Sequence, residues 1–155
     1  MDDIAKRSLS MSKTFQANAA LVWKILTTPE YMKEWWGPND YRNTIYKMEL
    51  HEGGTWAFTM HAPDGTDYEN EYICSTFIPL KKLVLDHLKE PKFNISVTLF
   101  EEGNQTRVEW LNVFETIPSK EEAVRAFKAD IGLEQNIERL NQQIDQYIEK
   151  SNTEH

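Results

Sequence analysis

The chain has 155 residues, of which 40% are hydrophobic and 27% charged, with five Trp, six Tyr and seven Phe. This balance predicts one globular domain able to bury roughly 68–70% of its unfolded surface, and it excludes a disordered chain. The net charge is −8, and the basic residues are scattered apart from the pairs Lys6-Arg7 and Lys81-Lys82, so no nucleic-acid partner is expected.

The start, Met1-Asp2-Asp3-Ile4-Ala5-Lys6, lacks the cationic and apolar blocks of a signal peptide. Residues 8–16, with Leu9, Met11 and Phe15 among polar neighbours, read as a first strand. Asn18 is placed to cap a helix in which Val22, Ile25 and Leu26 form one apolar face. Thr28-Pro29-Glu30 starts a second short helix, Pro29 occupying the first helical position, where its missing N–H costs nothing. That helix is expected to stop at Trp35-Trp36-Gly37-Pro38.

From residue 41 to 116 the hydrophobic period becomes two. Tyr46, Met48 and Leu50 are assigned to one face of a strand. Gly53-Gly54 makes a turn or bulge. Trp56, Phe58 and Met60 alternate with polar or small residues, and Pro63-Asp64-Gly65 turns the chain, so 55–61 and 66–78 should pair as a hairpin. Pro79 ends that strand and Leu83-Val84-Leu85 begins the next. Phe93, Ile95, Val97 and Leu99 share a face, and Glu102-Gly103-Asn104 leads into Thr106, Val108, Trp110, Asn112 and Phe114. Short turns between consecutive strands imply an antiparallel meander.

Ser119 with Glu122 reads as a capping box. The helix it opens carries Val124, Phe127, Ile131, Leu133, Ile137, Leu140, Ile144 and Ile148 in steps of mostly three and four, a single apolar stripe. Continuous to Lys150, it would be about 48 Å long. Gly132 weakens such a helix by roughly 1 kcal/mol relative to alanine, which suits a bend or a space beneath it. Ser151–His155 reads as a frayed tail. The expected fold class is α+β of the helix-grip kind: a curved antiparallel sheet of about six or seven strands, two short helices and a long C-terminal helix over a cavity.

Several strings, in this order, resemble the activator-of-Hsp90-ATPase-like family of the START/Bet v 1 superfamily. They are Val22-Trp23, Thr28-Pro29-Glu30, Trp35-Trp36-Gly37-Pro38, Glu52-Gly53-Gly54-Thr55-Trp56-Ala57-Phe58-Thr59-Met60, Asp64-Gly65, and Pro79 with Leu83. The resemblance spans residues 13–148 and implies one helix-grip domain, taken as residues 8–150. Superfamily relatives include ligand carriers, polyketide cyclases, lipid-transfer domains and cochaperone domains. Where the family often carries an acidic residue this chain has Thr76, and where it often carries Trp after the mid-helix glycine this chain has Leu133.

The leading expectation is a binding domain for a small hydrophobic ligand, aromatic or lipid-like, with no cofactor. The cavity candidates are Trp35, Trp36, Met48, Trp56, Phe58, Met60, Tyr72, Trp110, Phe127, Ile131 and Leu140; their alternative is to fill one another's space. A cyclase/dehydratase-like enzyme would instead require inward polar groups to converge, with Tyr72, Asn70 and His87 as the examples. Along that strand Asp67, Glu69 and Glu71 are expected to face water, leaving Tyr68, Asn70 and Tyr72 inward. A stress-related interaction module would present an exposed patch near Trp35-Trp36 to a partner such as an Hsp90-like chaperone. The alternative reading of that pair buries both rings. The histidines lack metal-ligand spacing and no nucleophile or phosphate-loop motif occurs, so no metal site is expected. Cys74, the single cysteine, reads as a small buried hydrophobe. No apolar run reaches the length of a membrane span. A cytoplasmic location is expected by default.

Overall fold

The switch of hydrophobic period near residue 41 separates helices from sheet in the computed structural model, which describes residues 3–153. A short 3-10 turn, Ile4–Arg7, leads into β1 (Ser8–Phe15), α1 (Ala19–Thr27) and α2 (Pro29–Trp35). Six further strands follow: β2 (Arg42–Met48), β3 (Thr55–His61), β4 (Asp67–Ile78), β5 (Lys82–His87), β6 (Phe93–Glu102) and β7 (Gln105–Phe114). The chain closes with α3 (Ile117–Phe127) and α4 (Ala129–Thr153).

The strands form one antiparallel sheet in the order β1-β7-β6-β5-β4-β3-β2. From β2 to β7 this is the expected meander. β1 pairs with the last strand, so α1 and α2 carry the chain from one sheet edge to the other. The α1 cap forms as expected, with Leu21 N–H donating to Asn18 Oδ1 at 2.9 Å, and Val22, Ile25 and Leu26 are buried. Pro29 opens α2, but the Thr28 side chain makes no capping bond.

Two irregularities move side chains away from simple alternation. The register shifts between Ile45 and Lys47. Tyr46 is therefore 67% exposed, while Met48 packs against the core. Leu50, beyond the strand end, is also exposed, so these residues do not share a face. A second shift lies between Cys74 and Thr76; Thr76 is half-buried there, and Phe77 reaches the core. At Gly54 a Cβ would meet Glu49 O at 2.4 Å, so this turn has no room for any side chain.

The expected single C-terminal helix is two helices. Thr116, not Ser119, caps α3, accepting from Ser119 N–H at 3.1 Å. At Lys128 the backbone turns left-handed (φ 52), ending α3, and α4 restarts at Ala129. At about 1.5 Å per residue, the 25 residues of α4 span about 37 Å. Leu133, Ile137, Leu140 and Ile144 are buried against the sheet in one core with Trp56, Leu85 and Val97. The bend falls four residues before Gly132, whose missing Cβ instead lets Pro38 approach, to 3.3 Å from where that Cβ would stand. Residues 151–153 are helical rather than frayed. Met1, Asp2, Glu154 and His155, and with them the rest of the expected tail, lie outside the described residues.

Candidate ligand site

Adjacent residues on a helix point about 100° apart, yet the fold buries both tryptophans at the end of α2: Trp35 is 0% and Trp36 5% exposed. Trp35 faces back, its indole N–H donating to Ile25 O at 3.0 Å and tying α2 to α1. Trp36, just past the helix, faces the sheet. Its ring lies 5.6 Å from Phe58, 6.2 Å from Tyr72 and 5.9 Å from Trp110, measured between centroids. Phe58 in turn stacks on Tyr72 at 5.8 Å. The exposed patch expected of an interaction module at Trp35-Trp36 is therefore absent; both rings are in the core.

Of the other cavity candidates, Trp56, Trp110 and Leu140 are buried, and Met48 and Met60 pack partly buried against the same cluster. Phe127 and Ile131 do not join it: they are 64% and 46% exposed. Phe127 belongs to α3, which the left-handed Lys128 ends, and Ile131 stands two residues, about 200°, from Leu133 and so on the opposite face of α4. Beneath α4 the sheet-facing rings occupy one another's space.

Tyr72 links this cluster to a polar end. The His87 ring lies 4.9 Å from Tyr72 and 4.7 Å from Phe93. His87 Nδ1 is 2.9 Å from Pro91 O, and Nε2 is 3.2 Å from Asn70 Oδ1. Asn70 is held by its own Nδ2–H donating to Tyr68 O at 3.1 Å. Burial lowers the His87 pKa and pushes the Tyr72 hydroxyl far above its ordinary value, so Tyr72 stays protonated. Among the described residues nothing hydrogen-bonds that hydroxyl, although Tyr72 is only 2% exposed.

Tyr72, Asn70 and His87 thus converge as an enzyme reading requires, but each His87 nitrogen is already engaged. Tyr68 does not point inward with them; it is exposed and stacks on Tyr41 at 6.5 Å. On the other parity of β4, Asp67 reaches His61 at 2.8 Å and Glu69 reaches Lys89 at 3.4 Å, an outer face of surface ion pairs. Cys74 is a buried free thiol whose pKa is raised by burial. Among the described residues no group of three or more His, Cys, Asp or Glu is arranged to hold a metal, and no helix is long and apolar enough to cross a membrane.

A polar face of α4 that pattern reading passes over holds the connection after α2. Asn136 Oδ1 accepts from Gly37 N–H at 2.9 Å, and Gln135 Oε1 from Asn39 N–H at 3.1 Å. The Arg139 guanidinium donates to five carbonyls, those of Glu34, Trp36, Gly37, Pro38 and Tyr41, at 2.7–3.0 Å. Gly37 has φ 93, a conformation that glycine adopts without penalty. The available signal was the spacing of Gly132, Gln135, Asn136 and Arg139, which places them together beside the apolar stripe.

A long helix laid across a seven-stranded antiparallel sheet, with two short helices bridging its edges, defines the helix-grip class. Residues 16–149 match the family described as "Activator of Hsp90 ATPase homolog 1-like protein", and the chain belongs to it. Solved structures agree on the fold. A protein from Arthrobacter aurescens, solved in solution, superposes with a TM-score of 0.84 at 24% identity, covering 94% of this chain and 90% of that one. A Nitrosomonas europaea protein gives 0.83 at 18% identity, covering 95% and 99%. An AHSA1-like protein from Aeromonas hydrophila gives 0.70 at 15% identity, covering 90% and 94%. No curated protein matches the chain.

Proposed function

We propose that residues 8–150 form a small-molecule-binding domain whose ligand is largely apolar and carries one hydrogen-bond acceptor, such as a carbonyl. Its site is the Trp36–Tyr72–His87 end of the space between sheet and α4. The observation behind this reading is Tyr72, a residue only 2% exposed in a wall of rings, whose hydroxyl meets no hydrogen-bond partner among the described residues. A hydroxyl that spends no donor on the protein can give its hydrogen bond to a ligand acceptor that reaches it from the apolar side. Because Trp36, Phe58 and Tyr72 touch one another, entry requires Trp36 to swing. It sits where α2 ends, outside any regular element. A lone free cysteine accords with a cytoplasmic location.

The test is to titrate the protein with fatty acids and polyphenols while following side-chain and amide resonances. Saturable shifts at Trp36, Tyr72 and His87 are expected, with affinity several-fold weaker in Tyr72→Phe. No saturable shift with any compound, or undiminished binding by Tyr72→Phe, would sink the proposal. The cyclase-like alternative has the convergence of Asn70, Tyr72 and His87 in its favour. Against it, both His87 nitrogens face protein acceptors, so neither is open to a substrate proton. Docking of an Hsp90-like chaperone would need a surface other than Trp35-Trp36.

A further inference from the structure

On the outside of the grip, α2 and the C-terminal half of α4 leave a recess of about 420 Å³, lined by Tyr31, Gln143, Gln146, Tyr147, Lys150 and Ser151. We propose that this recess is a second binding site, separate from the enclosed one, for a planar aromatic ring bearing a single carboxylate.

Its lining is unusual for this chain. The protein carries 25 acidic residues and a net charge of −8, yet among the described residues that line the recess there is no carboxylate. What lines it, besides Lys150, are two phenols, two amides and a hydroxyl, groups of the donating kind. Beside them, Lys24 of α1 donates from Nζ to the Tyr147 hydroxyl at 3.0 Å and lies 4.9 Å from the centre of the same ring. A surface lysine ordinarily leaves its ammonium in water or against a carboxylate. Here a tyrosine hydroxyl accepts from it, a contact that raises its pKa, and leaves two of its three N–H donors for a ligand.

The rings supply shape. Tyr31 and Tyr147 meet nearly at right angles, with an interplanar angle of 79° and centroids 5.8 Å apart. Such a corner offers a planar ligand one ring face to stack on and one edge to abut. Gln143 donates towards Gln146 Oε1 at 3.4 Å, which leaves the Gln146 amide N–H groups for an incoming oxygen. The volume lies in the lower part of the range for small-ligand pockets, roughly 300–1,000 Å³. The carboxyl-end dipole of α4 opposes an anion near its last turn. Charge alone is therefore insufficient, and the ring must contribute to binding.

The probe is 2-naphthoate, titrated into isotopically labelled protein, with 2-naphthalenemethanol as the neutral counterpart and acetate as the charge without the ring. The expected result is saturable shifts at Tyr31, Gln146 and Tyr147, at least tenfold weaker binding of the alcohol, and no saturable response to acetate. Lys24→Gln should weaken naphthoate at least tenfold. Tyr147→Phe, which keeps the ring but releases Lys24, should weaken it several-fold. Lys24 is exposed and Tyr147 half-buried at the margin of the core, and unchanged core resonances report that each variant is folded. Naphthoate affinity unaltered by Lys24→Gln would overturn the proposal, as would shifts confined to Trp36 and Tyr72, the mark of the enclosed site alone. If neither region responds, both readings fail; a fatty acid that shifts Trp36 while naphthoate leaves Tyr147 unmoved removes only this one.

Discussion

His87 has an acceptor facing each ring nitrogen, Pro91 O at Nδ1 and Asn70 Oδ1 at Nε2. Either neutral tautomer places a proton on only one of these contacts, so geometry alone favours the imidazolium, while burial opposes it. Burial is the larger effect and the pKa is lowered. In the unfolded chain the ring titrates near its ordinary value of about 6.5. As pH falls through that value the unfolded state takes up a proton that the folded state resists, so stability is present above it and is lost towards the depressed folded pKa. The His87 ring resonances should therefore titrate below the ordinary midpoint, and unfolding in urea should become easier from pH 7 to pH 5. A midpoint above the ordinary value would show that the two acceptors outweigh burial. The inward position of His87 was legible from its parity with Leu83 and Leu85. Its partners were not, because Pro91 O and the Asn70 side chain reach it from a loop and a neighbouring strand.

The elements were legible where hydrophobic period and caps agreed, as in α1 and in β3 through β7. The C-terminal helix was legible as a stripe but not as a pair of helices. Lys128 is a good helix former, and nothing in its side chain announces the left-handed conformation that separates Phe127 from Ile131. The polar margin of α4 was hidden for a different reason: its partners are backbone carbonyls, which leave no residue-type pattern. That margin holds the loop carrying Trp36, and Arg139 is central to it. Arg139 is half-buried and burial lowers its pKa, yet a guanidinium remains charged. Its planar fork reaches several carbonyls at once, which a lysine cannot copy. Arg139→Lys should destabilise the protein by about 2 kcal/mol, within the usual range for charged hydrogen bonds. It should also speed amide exchange over residues 36–41. Urea unfolding and hydrogen exchange read both effects, and unchanged exchange in that segment would mean that the loop holds itself.

At the scale of the whole molecule, the strands' aromatic residues that gather between sheet and helix were legible, Phe127 of the last helices was misplaced, and how closely the rings pack was not legible. Strand parity points Trp56, Phe58, Tyr72 and Trp110 to one side of the sheet, but whether their rings touch depends on sheet curvature and on where Trp36 lands. In the folded chain they touch, and Phe58 is the ring shared by Trp36 and Tyr72. Phe58→Ala tests what that packing does. Removing a buried ring of this size should cost about 3–5 kcal/mol, the transfer of the ring plus the cavity it leaves. The cavity would lie against the Tyr72 ring, walled by apolar side chains, and such spaces bind small aromatic molecules. Indole, which brings an apolar body of the right kind, should then raise the melting temperature of the variant by mass action while leaving the wild type nearly unmoved. A dose-dependent rise in Phe58→Ala that disappears in Phe58→Ala/Trp36→Leu would show that Trp36 roofs the opened space. If indole stabilises neither protein and the variant loses less than about 1 kcal/mol, well below the usual cost of such a truncation, the surrounding rings have closed over the gap. The core would then be deformable enough for Trp36 to move aside without any ligand.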